Sequence, residues 1–377
     1  MSLNSLLLSS DEKTVRILRR VLSDLEIGVE HCLAAEDAIR LITRQRFEAI
    51  IVDGSNTEAG SVMQVAKASL VNKRALSIML VESSVGLKGG FEMGAHFVLH
   101  KPFAVERAKS SFRAVRALMK RERRLQARVA VEIPVECFGS ARYTAKTIDL
   151  SEGGMAIRFI GRVAKESPLR FSLDLPGMNG TLEVSGELAW GGNGDQAGVR
   201  FKDATDEDHK ILRHWLTSQL PDLEQDDPPV ICRLTDLSLG GCYLTTNSPF
   251  PRGTRVTLSI KTANLEIRAG GAVLVAHPEF GMGVEFLRAT TEQRDQVLRM
   301  IKTLRANGDQ SPELQVEPEG LDTSSPDNSV VAFQASATDS GTEDALLDLF
   351  RYQFQAPVEI FLHHMREQRH SPQSQLH

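Results

Sequence analysis

The feature of this sequence that most constrains its fold is an internal repeat in the middle of the chain. Residues 149–154 read DLSEGG, and residues 236–241 read DLSLGG, 87 positions later. Residues 198–201 read GVRF, and residues 283–286 read GVEF, 85 positions later. Because a nearly constant offset indicates duplication of one structural unit, the chain is expected to contain two domains of the same fold.

The residues around the first copy alternate in the way that β-strands do. Apolar residues occupy every second position from Val129 to Cys137, and the alternation returns from Leu182 to Leu188. Trp190 ends this second run and is predicted to lie in the core. Cap-like residues at Thr205 and Thr290 begin segments of helical periodicity that close the two copies. Each copy is therefore expected to be a small β-barrel with a closing helix.

The first 120 residues show a different pattern, in which short apolar runs alternate with segments of helical periodicity. The runs typical of buried parallel strands are Leu6–Leu8, Ala49–Val52, Leu76–Val81 and Phe97–Leu99. This alternation predicts a doubly wound α/β domain over residues 1–120. Functional groups in such sheets gather where strands end, and the polar residues found there are Ser9, Ser10, Asp11, Asp53 and Lys101.

Composition excludes several classes of protein. A chain of 377 residues is too long for one ordinary core, and its net charge of -5 gives no chain-wide attraction to DNA or to an anionic membrane. DNA binding is therefore not expected. The start of the chain resembles no secretory leader and no apolar stretch is long enough to span a membrane, so a cytoplasmic location is expected. The cysteines lack CxxC spacing, which predicts reduced core thiols at Cys32, Cys137, Cys232 and Cys242.

Positive charge is concentrated between Arg107 and Arg128. Up to Arg116, this run is interpreted as the solvated face of a helix that leads out of the α/β domain. Arg124 and Arg128 end the run directly before the first alternating strand. Two guanidinium groups are therefore expected at the mouth of the first β-domain.

The spacing RxxxR at Arg124 and Arg128, followed after 20 residues by DxSxxG at Asp149, resembles the signature of PilZ domains. The resemblance covers residues 121–222, and residues 226–306 are similar to a second PilZ domain. It implies cyclic di-GMP as the ligand. The residues that it implies for ligand binding are Arg124, Arg128, Asp149, Ser151, Gly153 and Gly154.

The chemistry of this ligand suits these residue types. Cyclic di-GMP carries two phosphates and two guanines, and an arginine can bind a phosphate bidentately, grip the O6/N7 edge of guanine or stack on its face. A carboxylate at Asp149 can accept hydrogen bonds from guanine N1 and N2, and the hydroxyl of Ser151 can add a contact.

The second copy lacks the arginine pair. The residues that lead into it, from Pro221 to Val230, are acidic, and negative charge repels a phosphodiester. The second domain is therefore expected to keep its turn for structural reasons, to serve as a pairing surface, and to bind the dinucleotide weakly or not at all.

The first domain resembles a response-regulator receiver, on the residues IIVDG ending at Gly54 and on Lys101-Pro102-Phe103. The resemblance implies Asp53 as a possible phosphoacceptor assisted by Lys101. However, the acidic pair that holds Mg²⁺ in receivers falls on Ser9 and Ser10, and the hydroxyl position falls on Val81, which cannot hydrogen-bond a phosphoryl oxygen. Asp11 is either a single Mg²⁺ ligand or a helix N-cap. A degenerate receiver is expected, with Mg²⁺ needed only if Asp53 is phosphorylated.

The end of the chain divides into two parts. Residues 307–342 are rich in Ser, Pro, Gly, Asp and Glu, which predicts a disordered acidic linker. Residues 343–377 contain a short amphipathic segment that is expected to dock on a protein partner or on the chain's own barrels. His363, His364 and His370 lack acidic or thiol neighbours, so no metal site is predicted there.

Three hypotheses for function follow. The first is a bacterial cyclic di-GMP effector, in which nucleotide binding at the first PilZ domain produces domain rearrangement and binding of a protein partner through the receiver-like domain or the tail. The resemblance then implies regulation of motility or exopolysaccharide. The second is a phosphorelay response regulator that uses Asp53, and the third is an interaction scaffold that binds no nucleotide. An enzyme is not expected, because no general base accompanies Asp149 and Ser151.

Overall fold

The computed structural model of the protein describes residues 3–82, 89–139, 141–160, 169–178, 180–191, 195–202, 206–220, 226–261, 266–278, 280–287, 291–307, 313–321, 344–353 and 356–370. The chain divides into two compact units. One contains Glu122–Gln225, and the other contains Ser2–Arg121 together with Asp226–His377.

The residues up to Arg121 form the doubly wound α/β domain that the sequence predicts. The strands are β1 (Leu3–Leu8), β2 (Ile27–Cys32), β3 (Ala49–Asp53), β4 (Leu76–Val81) and β5 (Phe97–His100), and the helices are α1 (Glu12–Asp24), α2 (Ala35–Arg44), α3 (Ala59–Ala68) and α4 (Val105–Gln126). The strands are parallel in the order β2-β1-β3-β4-β5. This is the flavodoxin-like order, so the predicted fold class is confirmed. The edge strand β2 was not predicted, because its residues are only partly buried.

Helices cover both faces of this sheet. Apolar residues of α1 and α4 pack with Leu3, Leu7 and Ile51, whereas α2 and α3 pack with Leu6 and Val52. Successive strand residues therefore point to opposite cores, which explains why the central strands read as continuous apolar runs.

The first β-domain is a closed antiparallel barrel. Its elements are β6 (Val129–Ala130), β7 (Pro134–Phe138), β8 (Arg142–Ser151), β9 (Gly154–Ile160), β10 (Leu169–Asp174), β11 (Thr181–Gly191), β12 (Gln196–Phe201) and α5 (Asp206–Gln219). The pairing runs β7-β8-β9-β12-β11-β10 and returns from β10 to β7, while the short β6 adds to β8. The predicted strand from Val129 to Cys137 is thus two strands. The closing helix α5 buries Leu212, Trp215 and Leu216 against the barrel core.

The second β-domain is also a closed antiparallel barrel, as the repeat predicts. Its elements are β13 (Val230–Leu237), β14 (Gly241–Thr245), β15 (Thr254–Lys261), β16 (Glu266–His277), β17 (Gly281–Phe286), α6 (Thr291–Asn307) and β18 (Glu313–Leu321). The pairing runs β13-β14-β17-β16-β15-β18, and β18 returns to β13.

Strand β18 corrects the prediction that residues 307–342 are a disordered linker. Within its acidic composition, Leu314 and Val316 alternate with polar residues and are fully buried in the barrel core. Two alternating apolar residues in a segment rich in Glu and Pro are too few to predict a strand from the sequence. The remaining residues of the predicted linker, 308–312 and 322–342, lie outside the described residues.

The position of β18 also shows that the second barrel is a circular permutation of the first. In the first barrel the strand between β8 and β10 is β7, which precedes the rest of the barrel in sequence. In the second barrel the corresponding strand between β13 and β15 is β18, which follows the closing helix. Among the residues described from 226 onward, the second domain has no strand before β13, so nothing there corresponds to the strand β7 that RxxxR precedes in the first barrel.

Two helices end the described part of the chain, α7 (Ala345–Tyr352) and α8 (Val358–His370). They pack on β14 and β16 of the second barrel through an apolar cluster separate from the barrel interior. The sequence predicted that this segment docks either on a protein partner or on the chain's own barrels, and the structure shows it docked on the second barrel. All four cysteines are buried and free of disulfides. No helix in the part of the chain that the structure describes is both long and apolar enough to cross a bilayer.

Candidate functional site

A row of four residues crosses the outside of the first barrel beside its DxSxxG turn. Trp190 pairs with Gly198, Gly198 with Ala156, and Ala156 with Asp149 in successive neighbouring strands. Residues paired across strands point to the same face, so this row, here called the outer row, joins an indole, two small residues and a carboxylate.

The prediction that Trp190 lies in the core is wrong. Its side chain is 51% exposed. The pairing of β11 with β12 is irregular between Leu188 and Trp190, and this bulge turns Trp190 outward where strict alternation would turn it inward. A Cβ atom on Gly198 would lie only 2.0 Å from Nε1 of Trp190, so the indole lies directly over this glycine.

Arg128 and Asp149 are in contact at the other end of the outer row. Arg128 Nη1 donates to Asp149 Oδ1 at 2.6 Å, and the same carboxylate oxygen accepts from the backbone N–H of Ala156 at 3.2 Å. Arg124, in the last turn of α4, instead donates to the hydroxyl of Thr217 at 2.7 Å. The structure therefore joins the second arginine of RxxxR to the aspartate of DxSxxG, while the first contacts the closing helix.

The remaining signature residues shape the turn between β8 and β9. The buried hydroxyl of Ser151 donates to the carbonyl of Gly154 at 2.8 Å. A Cβ atom on Gly154 would lie 2.1 Å from the carbonyl oxygen of Val199, so this position admits only glycine without displacement of β12. Gly153 has open space around it, and its carbonyl accepts from the N–H of Phe201 at 3.0 Å.

Two further arginines flank the outer row. Arg158 lies two residues beyond Ala156 on β9, and Arg200 lies two residues beyond Gly198 on β12, so both side chains point to the outer face. Both residues are exposed, and Arg158 lies 3.7 Å from Asp195. Sequence reasoning missed them because only the strand register places them beside Asp149.

The second barrel carries a different row at the same place. Val275 pairs with Gly283, Gly283 with Tyr243, and Tyr243 with Asp236. The irregular pairing recurs immediately before Val275. Tyr243 and Val275 are each 1% exposed, so the row that carries an exposed indole in the first barrel has a largely buried counterpart in the second.

The basic helix α4 is bound to acidic residues within its own unit. Arg116 Nη1 and Lys120 Nζ lie 2.6 and 2.8 Å from the same oxygen of Asp227, and Arg116 Nη2 lies 2.9 Å from Glu26. The interpretation of the run up to Arg116 as a merely solvated face is therefore wrong at Arg116. The sequence suggested only that the acidic residues before β13 repel a ligand. The structure shows that one of them, Asp227, forms ion pairs with Arg116 and Lys120 of α4.

The strand ends of the α/β domain bring together three of the predicted polar residues. Lys101 Nζ lies 2.8 and 3.0 Å from the two carboxylate oxygens of Asp53, and the hydroxyl of Ser9 donates to Asp53 at 2.7 Å. The backbone N–H and hydroxyl of Ser55 donate to the other oxygen. Asp53 is 1% exposed, so the carboxylate is enclosed by donors.

These contacts fix the charge state of the pair. Burial raises the pKa of Asp53, but hydrogen bonds from Lys101, Ser9 and Ser55 outweigh it and hold the pKa below its usual value. Burial lowers the pKa of Lys101, but Asp53 and then Glu82 outweigh it and raise that pKa. The two groups therefore form a buried ion pair at neutral pH.

The side chains of Ser10 and Asp11 do not hydrogen-bond to Asp53, although the backbone N–H of Asp11 donates to the hydroxyl of Ser9 at 3.2 Å. Ser10 is exposed, and Asp11 is the N-cap of α1, where its side chain accepts from the N–H of Lys13 and the hydroxyl of Thr14. Of the two roles considered for Asp11, the structure shows the helix cap. Within the described ranges, no group of three or more His, Cys, Asp or Glu side chains is placed to hold a metal ion.

A known protein family matches both β-barrels. The PilZ domain family model matches residues 122–218 and 220–303. Among solved structures, the chain is similar to the PilZ domain of CeSA from a cellulose-synthesizing bacterium, at 24% identity over 25% of this chain and 97% of that one with a TM-score of 0.22. A search of curated proteins found no match.

Two receiver structures are similar to part of the chain. The receiver domain of a sensor histidine kinase from Pseudomonas aeruginosa is 21% identical over 32% of this chain and 98% of that one, with a TM-score of 0.28. A chemotaxis response regulator of Vibrio cholerae is 19% identical over 30% of this chain and 99% of that one, with a TM-score of 0.29.

The fold defines a multidomain protein in which a doubly wound α/β domain is followed by two β-barrels. Both barrels match the PilZ domain family model over most of their length. The family match to the second copy ends before β18, which agrees with the permuted position of that strand.

Proposed function

We propose that the protein is a cyclic di-GMP effector whose ligand binds on the outer row of the first PilZ domain. The observation that supports this most directly is the contact of Arg128 with Asp149 at one end of the outer row, with an exposed indole at the other end. One continuous surface thereby offers a cation, a carboxylate and an aromatic face. A guanine dinucleotide needs all three kinds of partner.

Each part of the surface has a distinct role in this proposal. Arg124 and Arg128 bind phosphate or the O6/N7 edge of guanine, and Asp149 accepts from guanine N1 and N2. Trp190, whose indole lies over Gly198, stacks on a base, and the small side chain of Ala156 leaves space next to it. Arg158 and Arg200 add positive charge near the phosphates. Ser151, Gly153 and Gly154 hold the turn that presents Asp149.

The second PilZ domain does not take the nucleotide. The residues at the positions of Arg158 and Arg200 are Thr245 and Glu285, and the place of Trp190 is taken by the buried Val275. A carboxylate in place of an arginine repels phosphate, and a buried row offers no face for stacking.

Binding is coupled to the rest of the chain through α4. This helix begins in the receiver-like domain, and its last turn carries Arg124. A ligand that draws Arg124 from Thr217 and Arg128 from Asp149 changes the end of the helix, which is the link through which nucleotide binding rearranges the domains and alters partner binding. In this proposal Asp53 forms a structural ion pair with Lys101 and does not accept a phosphoryl group. The protein is not an enzyme, and it acts in the cytoplasm.

The test is a calorimetric titration of the full chain with cyclic di-GMP, compared with Asp149→Ala and with Asp236→Ala at the matching position of the second barrel. We expect binding at about micromolar concentration or tighter. Asp149→Ala is expected to weaken it by one to two decades, because each charge-assisted hydrogen bond contributes roughly 1.5–3 kcal/mol. Asp236→Ala is expected to leave it unchanged. Absence of binding to the parent, or equal losses in both variants, would refute the proposal.

A further inference from the structure

The face of the second barrel that corresponds to the proposed nucleotide site is covered by the chain's own C-terminal helices. Phe350 of α7 lies over Gly283, where a Cβ atom would meet its ring at 2.8 Å. In the first barrel the equivalent glycine, Gly198, is covered by Trp190. The aromatic ring over this glycine thus comes from the barrel itself in one domain and from the tail in the other.

The signature turn of the second barrel binds the start of α7. The backbone N–H of Gly240 donates to Asp344 Oδ2 at 2.9 Å, while Asp344 Oδ1 caps α7 by accepting from the N–H groups of Leu346 and Leu347. A Cβ atom on Gly240 would lie 2.4 Å from Leu347. The equivalent glycine of the first barrel, Gly153, has open space around it, whereas the absence of a side chain at Gly240 leaves room for a helix.

Charge and hydrophobicity on this face match the helices. Arg351 of α7 lies 2.5 Å from Glu285, which stands where the first barrel has Arg200. The apolar members of the contact are Tyr243, Leu274, Val275, Leu346, Leu347, Leu349, Phe350, Phe361 and Met365. Glu285 in place of Arg200, and the buried Val275 in place of the exposed Trp190, suit an amphipathic helix rather than a dinucleotide.

We propose that the outer face of the second PilZ domain is a peptide-binding site for an amphipathic helix with a carboxylate at its N-cap, and that the segment from Asp344 to Met365 is its occupant. The turn at Gly240 and Gly241 recognises the capped helix start, Gly283 and Val275 receive the aromatic side chain, and Glu285 selects a basic residue at the end of the first helix. This site is independent of nucleotide binding at the first barrel.

The site can be tested in the full chain by inserting a protease recognition sequence among residues 322–343. After cleavage the fragment with α7 and α8 is no longer covalently attached. Its retention is measured by size-exclusion chromatography, and its dissociation constant by displacement with a labelled peptide of residues 343–370. No nucleotide is present, so failure here is distinguishable from failure of the proposed function.

Two substitutions on the same helix form a matched pair. Phe350 is fully buried in the contact, whereas Tyr352 is 82% exposed. We expect Phe350→Ala to weaken retention at least about 100-fold, because deletion of a buried ring removes most of its packing energy. Tyr352→Ala is expected to change retention less than about threefold. On the barrel side, Glu285→Arg is expected to weaken it about tenfold by repelling Arg351.

Three results would overturn the inference. The first is that the cleaved fragment dissociates freely, and the second is that Phe350→Ala and Tyr352→Ala have equal effects. The third is that Phe350→Ala raises the number of cyclic di-GMP molecules bound per chain, which would make the face a nucleotide site masked by the tail. Retention of the fragment, displacement by the peptide and an unchanged nucleotide stoichiometry support the proposal.

Discussion

Replacing Arg128 with alanine separates ligand affinity from fold stability at one position. The ion pair of Arg128 with Asp149 is short, but the two side chains are 51% and 26% exposed. Exposed pairs contribute about 0.2–1 kcal/mol to stability, so Arg128→Ala is expected to lower the free energy of unfolding by less than about 1 kcal/mol. Loss of a charge-assisted contact to phosphate or guanine costs roughly 1.5–3 kcal/mol of binding free energy, which is about ten- to 150-fold in affinity.

The assay is calorimetric titration with cyclic di-GMP, paired with urea unfolding of the same samples. Arg142→Ala is the matched control, because Arg142 forms an equally short 2.6 Å ion pair with Glu136 in the same barrel but lies away from the outer row. It removes the same charge without removing a proposed ligand contact. An affinity within about twofold of the parent for Arg128→Ala would refute the assignment. Equal losses in both variants would show that only net charge matters.

Three further predictions follow from individual side chains. Trp190→Ala is expected to weaken cyclic di-GMP binding about tenfold, since a stacked base contributes about 1–3 kcal/mol, and an affinity equal to the parent's in the same titration would contradict the stacking role. Burial lowers the pKa of His277 from 6.5 to about 4, so the stability that it contributes is complete above pH 6.5 and is lost as the pH falls toward 4. The full effect is about 3 kcal/mol, and urea unfolding at pH 7 and pH 5 should show a pH dependence that His277→Gln reduces. Asp53→Asn leaves the buried ammonium of Lys101 without its main partner, and is expected to lower the unfolding free energy of the receiver-like domain by about 3 kcal/mol, whereas an unchanged unfolding midpoint would show that the pair is not structural.

The sequence was sufficient for the parts of the protein that are encoded locally. The period of apolar residues identified the α/β domain, and the rule that polar groups gather at strand ends grouped Ser9, Asp53 and Lys101, which the structure shows in contact. The repeat identified two barrels, and the resemblance selected Arg128 and Asp149, which the structure shows in contact. Each of these inferences depends on residues within one element, or on a topology that one fold class imposes.

Tertiary structure alone decided three features on which the functional conclusions depend. The bulge before Trp190 turned a predicted core residue into an exposed one, because one extra residue in a strand reverses every later side chain. Residues 313–321 form strand β18 in spite of their acidic composition, because the closed barrel needs a strand that pairs with the edges of both β13 and β15. The docking of α7 on Gly283 depends on an apolar row assembled from three strands far apart in sequence, and no local pattern records that such a row exists.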